Sequence, residues 1–432
     1  MDLCHSEVHC HINTLPPEIL SEIFKNCLAP RNGLFLIPSI RKAPMLLCQV
    51  CSYWRELALS LPMLWSSFAG SRGHDIQVAR GHVSLIQLWL ERSRTEPLFL
   101  YFNLRKREPL GSRIMGFFLD NIHRWEDVTF VVDDDSAKDL SAIPGGSAHL
   151  LNRFAINADR CTTKSMDEIS PIFSSFPNLR RLWWRSRSAP MALLGMSFSS
   201  LSHIKLLCPV PFNQCVSFMA QCSQICEVEI SDVQPSPVPF TRTPPIVTLP
   251  HLSSLNISVG MSELLDYFTL PSLRLLVFGQ IRLQNFKNLA ARSSCKLETF
   301  YLIDKKATEE ELIYYLRSPC LQSLRTLQIN SRGMTDQILT ALRYSVDPEA
   351  NLKGNILPHL EIFSIGNCQT TDGVFSDMVA SRWRPHRGRK DEDLPPSLKE
   401  IDFSFFPTEK RHGLDHLRLQ EFAANGLKIW EW

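Results

Sequence analysis

The sequence predicts an α/β repeat solenoid, with parallel strands and outer helices, preceded by a small three-helix module. Three observations carry that expectation. A leucine-led pattern, L-x-x-L-x-apolar, recurs from residue 151 to residue 403. Helix-forming stretches separate its instances. Ahead of them, residues 12–70 hold short apolar-striped segments of another kind. A chain of 432 residues is too long for one ordinary core. A stacked array reaches this length because each unit needs only its neighbours.

Residues 1–11 (MDLCHSEVHCH) read as a mobile tail. Cys4, His5, His9, Cys10 and His11 are metal-ligand types without the paired spacing of a structural zinc site, so no metal is expected. In the module, Pro16 and Pro17 fit the first turn of a helix, where backbone donors lack partners anyway. Ile19, Leu20, Ile23, Phe24, Cys27 and Leu28 then form an apolar stripe. A second helix is predicted over about 45–59, with Leu47, Val50, Cys51, Trp54 and Ala58 on one face. Its Cys48 and Cys51 read as small buried apolar residues. Pro62 starts a third element carrying Leu64, Trp65 and Phe68. Three short helices make more apolar surface than they can hide among themselves. A partner, or the repeats, must cover it. Residues 71–148 read as a linking region, in which Trp125–Val128–Phe130 is a degenerate earlier unit.

The solenoid is placed at 149–432. Its units are Leu151–Phe154–Ile156, Leu179–Leu182–Trp184, Leu201–Ile204–Leu206, Ile225–Val228–Ile230 and Leu252–Leu255–Ile257. They continue as Leu273–Leu276–Phe278, Leu297–Phe300–Leu302, Leu324–Leu327–Ile329, Leu360–Phe363–Ile365 and Leu398–Ile401–Phe403. The last two residues of each unit are two apart and share one strand face. The leading residue turns the chain into the strand. Pro177, Pro250, Pro271 and Pro358 end the preceding segment without removing a ladder donor. Between strands, TEEELIYYLR at 308–317 predicts a helix with a Thr308/Glu311 capping box. Strand, crossover and strand at this period give parallel strands with helices outside. These are irregular leucine-rich repeats; a late Asn appears only at Asn330 and Asn367. Segments 235–245, 344–356 and 382–396 break the rhythm and read as surface loops.

Charge and motif content exclude several function classes. Lys and Arg exceed Asp and Glu by two, which gives no global attraction to nucleic acid or anionic membrane. No stretch has the length of apolar sequence that a membrane span needs. The first residues lack the build of a signal peptide. Thirteen scattered cysteines fit reduced thiols in cytoplasm or nucleus. No phosphate-cradling glycine loop, GxSxG or HExxH is present. The expectation is a non-catalytic protein without a cofactor.

The module then shows a family resemblance. LPPEILSEIF at 15–24, LLCQVCSYWRELAL at 46–59 and LPMLW at 61–65 resemble an F-box, and the repeats resemble those of fungal F-box proteins with leucine-rich repeats. The resemblance implies docking on the Skp-type adaptor of an SCF-type cullin–RING ubiquitin ligase, with the repeats presenting a protein substrate. It carries over Leu15, Pro16, Ile19, Leu20, Val50, Cys51, Trp54 and Trp65 as adaptor positions, about half of them at the interface. The alternative is an adaptor-binding scaffold without ligase function. The substrate is placed on the concave face. With 182 and 184 inward, Arg181, Trp183 and Arg185 point out, and Lys205 joins them from the next strand. Such a patch suits an acidic or phosphorylated segment.

Overall fold

The computed structural model describes residues 11–28, 35–70, 80–103, 109–141, 143, 146–189, 199–237, 240, 244–345, 354–384, 397–405 and 412–431. The expectations for the N-terminal tail and for most of the three loop segments lie outside them. The chain divides into two compact units, 1–196 and 197–432.

In the first unit, Pro16 leads in extended backbone into helix α1 (Pro17–Asn26), which buries Leu20 and Phe24. The helix predicted over 45–59 is instead two pieces, a 3-10 turn at Leu47–Gln49 and helix α2 (Ser52–Ser60). Cys51 makes the break. Its backbone is extended (φ −157°), and its sulfur accepts the Trp54 N–H as a helix cap. The third expected helix is a single 3-10 turn, Pro62–Trp65.

Strand β1 (Ser67–Ala69) follows at once. Then come α3 (Arg80–Arg92), β2 (Leu98–Asn103), α4 (Pro109–Asp120), β3 (Trp125–Asp133), α5 (Asp134–Ser141), β4 (Arg153–Arg160), α6 (Thr163–Ile169) and β5 (Arg181–Arg185). The five strands are parallel and in sequence order. Phe68, Leu100, Val128, Phe154 and Leu182 lie in register across them.

Two boundaries therefore move. Strands stack from residue 67, inside the segment read as the module, and not from 149. The sequence hid the first two units because their leading position, three before the aligned residue, is not Leu. It falls on Trp65 ahead of β1 and on Pro97 ahead of β2, while the expected degenerate unit Trp125–Val128–Phe130 is β3.

The second unit runs β6 (His203–Pro211), α7 (Phe212–Gln221), β7 (Glu227–Gln234), β8 (Val247–Thr248), β9 (Ser254–Val259), β10 (Phe268–Thr269), β11 (Leu275–Phe278) and α8 (Leu283–Ser293). It continues with β12 (Thr299–Ile303), α9 (Glu309–Arg317), β13 (Thr326–Asn330), α10 (Asp336–Ala341), β14 (Ile362–Cys368), α11 (Val374–Arg382), β15 (Glu400–Phe405), α12 (Gly413–Ala424) and β16 (Lys428–Glu431). Strands β6, β7, β9 and β11 to β16 form a parallel sheet in that order, and β8 pairs with β10.

Every residue of the ten pattern instances is buried. At each of the four proline sites a tight turn brings the leading Leu back: Leu179, Leu252, Leu273 and Leu360 donate their N–H to the carbonyl three residues earlier. The Thr308/Glu311 capping box forms as predicted. Asn367 Nδ2 donates to Asn330 Oδ1 at 2.5 Å, so the two late asparagines hold neighbouring units together. Each unit is thus an α/β repeat stack whose leucines fix the register.

Candidate functional site

The N-terminal module sorts its apolar residues into a core and a surface. Phe24 meets Trp54 with ring centroids 4.9 Å apart. The Trp65 indole N–H donates to the Ala58 carbonyl (2.9 Å), and its ring packs against Trp89 at 4.8 Å. Leu20, Phe24, Leu47, Ala58, Leu64 and Trp65 are buried. Of the predicted adaptor positions, Leu20 and Trp65 therefore belong to the chain's own core. Trp65 occupies the leading position of the first strand, which explains its burial. Leu15, Cys51 and Trp54 are half-buried, and Cys51 caps α2.

Pro16, Ile19 and Val50 remain outside. Ile19 is 50% exposed and Val50 55%. Leu46, Ile37 and Ile40 are exposed as well. Sequence periodicity missed Leu46 because one continuous helix over 45–59 was assumed, and Ile37 and Ile40 precede that helix, where no periodic element was read. With the chain broken at Cys51, Leu47 turns inward while Leu46 and Val50 turn to solvent.

On the strands, residues alternating with the buried leucines form the other candidate surface. In β5, Arg181 and Arg185 are exposed and Trp183 is half-buried. The Trp183 indole N–H is shut away from solvent without an acceptor, and its register neighbours Ala155 and Thr129 are buried. This side chain is mostly packed rather than presented. Arg185 Nε sits 2.9 Å from Asp159. In the second unit, Lys205 Nζ lies 2.8 Å from Glu229 on the adjacent strand, and His203 faces Glu227 at 3.7 Å. Arg185 and Lys205, expected as a free basic patch, are each matched by a carboxylate of their own unit.

A longer charge ladder runs one residue ahead of strands β11 to β15: Arg274, Glu298, Arg325, Glu361 and Lys399. Arg274 pairs with Glu298 at 2.9 Å. Glu361 joins Arg325 and Lys399, each at 2.6 Å. The hydrogen bond from Lys399, with Arg325 adding to it, holds the Glu361 carboxyl below the usual range against a smaller opposing effect of burial. A depressed folded-state pKa stabilises above the unfolded value, and that stabilisation is lost as pH falls through the folded value. Thermal melts are expected to fall in steps from about pH 5 downward. Glu361→Gln is expected to remove part of that acid limb, at a cost of no more than about 1 kcal/mol near neutrality because both cations are exposed. An unchanged acid limb in the variant would contradict the ladder's role.

Among the described residues, Asp372, His412 and Asp415 bring three ligand-type atoms within 4.8 Å of one another. Their bonds are those of a helix start. The Asp372 carboxylate accepts the N–H groups of Asp415 (2.9 Å) and Leu414 (3.0 Å), which lower its pKa. Buried Asp415 accepts the Ser376 N–H at 2.8 Å and lies 3.0 Å from His412 Nδ1. The His412 ring stacks on Phe405 at 3.7 Å. These contacts commit both carboxylates to anchoring α12.

Among the described residues, no helix is long and apolar enough to cross a membrane. The fold and these surfaces define an α/β repeat protein with an apolar-faced helical module at its N-terminal side. No family model and no curated protein matches the chain. Among solved structures, it is similar to a chain in the crystal structure of the Rad7 and Elc1 complex in yeast. The two are 10% identical with a TM-score of 0.34, over 75% of this chain and 92% of that one.

Proposed function

We propose that the chain is the substrate-recognition subunit of an SCF-type cullin–RING ubiquitin ligase. The helical module docks on a Skp-type adaptor, and the repeats hold a protein substrate. The supporting observation is the module's division of labour. Its core is complete with Leu20, Phe24, Ala58, Leu64 and Trp65, yet Ile19 and Val50 remain half or more exposed at positions matching the F-box pattern. Large apolar side chains left outside a finished core are what a docking face requires. In this reading the chain makes and breaks no bond itself. It supplies proximity between a bound protein and the ubiquitin-carrying enzyme.

The substrate surface is the exposed strand face. Because Arg185 and Lys205 are matched by neighbouring carboxylates, a partner gains there only by displacing existing pairs. Affinity capture of the tagged chain, followed by identification of co-purifying proteins, tests the reading. Adaptor and cullin together support it. Adaptor without cullin, under conditions that keep cullin complexes intact, points to a scaffold. Neither one contradicts it.

A further inference from the structure

Strands β14, β15 and β16 carry a carboxylate oxygen that nothing around it satisfies. On the face opposite the buried Phe363, Ile365, Ile401 and Phe403, register places two rows side by side. One row is Ile362, Glu400 and Lys428; the other is Ser364, Asp402 and Trp430. Together they form a grid three strands wide, with neighbours about 4.8 Å apart from strand to strand. Ser364 Oγ donates to Asp402 Oδ2 at 3.3 Å. Asp402 Oδ1 is closed to solvent and has no hydrogen-bond partner among the described residues. Other carboxylates of this face are matched, Glu229 by Lys205 and Glu227 by His203. Glu400 is served too, because its Oε1 accepts the Trp430 indole N–H at 3.1 Å.

We infer that this grid is an arginine subsite, which takes the side chain of one arginine from a bound protein segment. A desolvated carboxylate oxygen without a donor is costly, and an incoming donor removes that cost. Asp402 is half-buried as a residue, and its carboxylate turns about a soft torsion, so Oδ1 meets an arriving group without backbone movement. A guanidinium brings several N–H donors in a planar fork, together with the opposite charge. Trp430, one strand away and 60% exposed, offers it an aromatic face. The indole bond to Glu400 already holds that ring, so little side-chain freedom is lost on binding.

The rest of the grid fits the same ligand. Ile362, diagonal to Asp402 and 36% exposed, gives the arginine methylenes an apolar contact. Lys428 is the register partner of Glu400 and offsets its charge, which leaves Asp402 as the uncompensated negative group. A lysine fits less well, because its ammonium is a point charge without a fork to match the carboxylate or a plane to stack on the indole. A water molecule satisfies Oδ1 but leaves the indole face bare. Arg185 and Lys205 must give up a carboxylate before a partner gains from them, whereas Asp402 Oδ1 has nothing to displace. The inference rests on the reading of the strand face as the substrate surface, and it names the chemistry that one corner of that surface selects.

Saturation-transfer NMR on the full chain, with no adaptor present, tests this using N-acetyl-arginine methylamide and its citrulline analogue, a neutral isostere. The arginine compound is expected to bind about fivefold more tightly than the citrulline compound. Asp402→Asn keeps the shape and an acceptor for Ser364 but removes the charge, and Trp430→Ala removes the aromatic face. Each is expected to weaken arginine binding about fivefold, with a melting temperature near the parent's. Equal binding of the two compounds by the parent, or unchanged arginine binding by either variant, would overturn the proposal. If Asp402→Asn melts low, the exposed Trp430 variant carries the comparison. Arginine binding that persists in a chain unable to bind adaptor would count against the ligase reading and leave the subsite standing.

Discussion

Replacing Leu276 or Leu327 with Ala is expected to destabilise the chain by roughly 2–5 kcal/mol in denaturant melts. Leu276 lies in register between Leu255 and Phe300, and Leu327 between Phe300 and Phe363; all five are buried. Removing three carbons there leaves a cavity bounded by two strands that their own hydrogen bonds hold in place, so collapse is limited. The adjacent half-buried residues Val277 and Gln328 point to the other strand face, and Ala at either is expected to cost about 1 kcal/mol or less. Greater damage from the Val277 and Gln328 changes than from the leucines would contradict the register.

The second large effect concerns the helical module. The double variant Ile19→Lys, Val50→Lys is expected to weaken capture of a Skp-type adaptor at least tenfold, with a melting temperature near that of the parent. Both side chains are exposed, so a charge there costs the folded chain little. At a docking face the same charges are desolvated without partners, and interface anchors typically contribute 2 kcal/mol or more. Leu20→Ala and Trp65→Ala are expected to behave differently. Each removes a core side chain and lowers the melt, and Trp65 also leaves the Ala58 carbonyl without its donor. Equal loss of capture in the lysine variant and the core variants, with equal loss of stability, would erase the distinction between face and core.

The repeats were legible in sequence wherever a leading Leu was present, because one residue type both turns the chain and sets the strand's inward face. They were hidden where another residue fills that position. Trp65 and Pro97 concealed two strands in the first unit, whereas the degenerate unit Trp125–Val128–Phe130 was legible and forms β3. In β16, Ile429 aligns with Ile401, yet Gly426 stands in the leading position and Glu431 replaces the second strand apolar, so the last strand gave no signal. The broken second helix was missed because Cys51 caps it through sulfur, a role that composition does not advertise.

The candidate surfaces were only half legible for a similar reason. Alternation correctly put Arg181, Arg185 and Lys205 on the face opposite the leucines. It could not show that Asp159 and Glu229 neutralise two of them, since such pairs join residues 24–26 positions apart and depend on register. The ladder from Arg274 to Lys399 has the same origin. Once strands are aligned, the residue before each strand meets its counterpart before the next, and alternating signs are then favourable.

Direct titration of the purified full chain with a purified Skp-type adaptor tests the central claim with fewest intermediates. Isothermal calorimetry is expected to give a one-to-one complex with a negative heat-capacity change, the mark of apolar burial. That heat is expected to vanish for the Ile19→Lys, Val50→Lys variant, whose melt matches the parent's. No binding by the parent chain, or equal binding by the variant, would contradict the account.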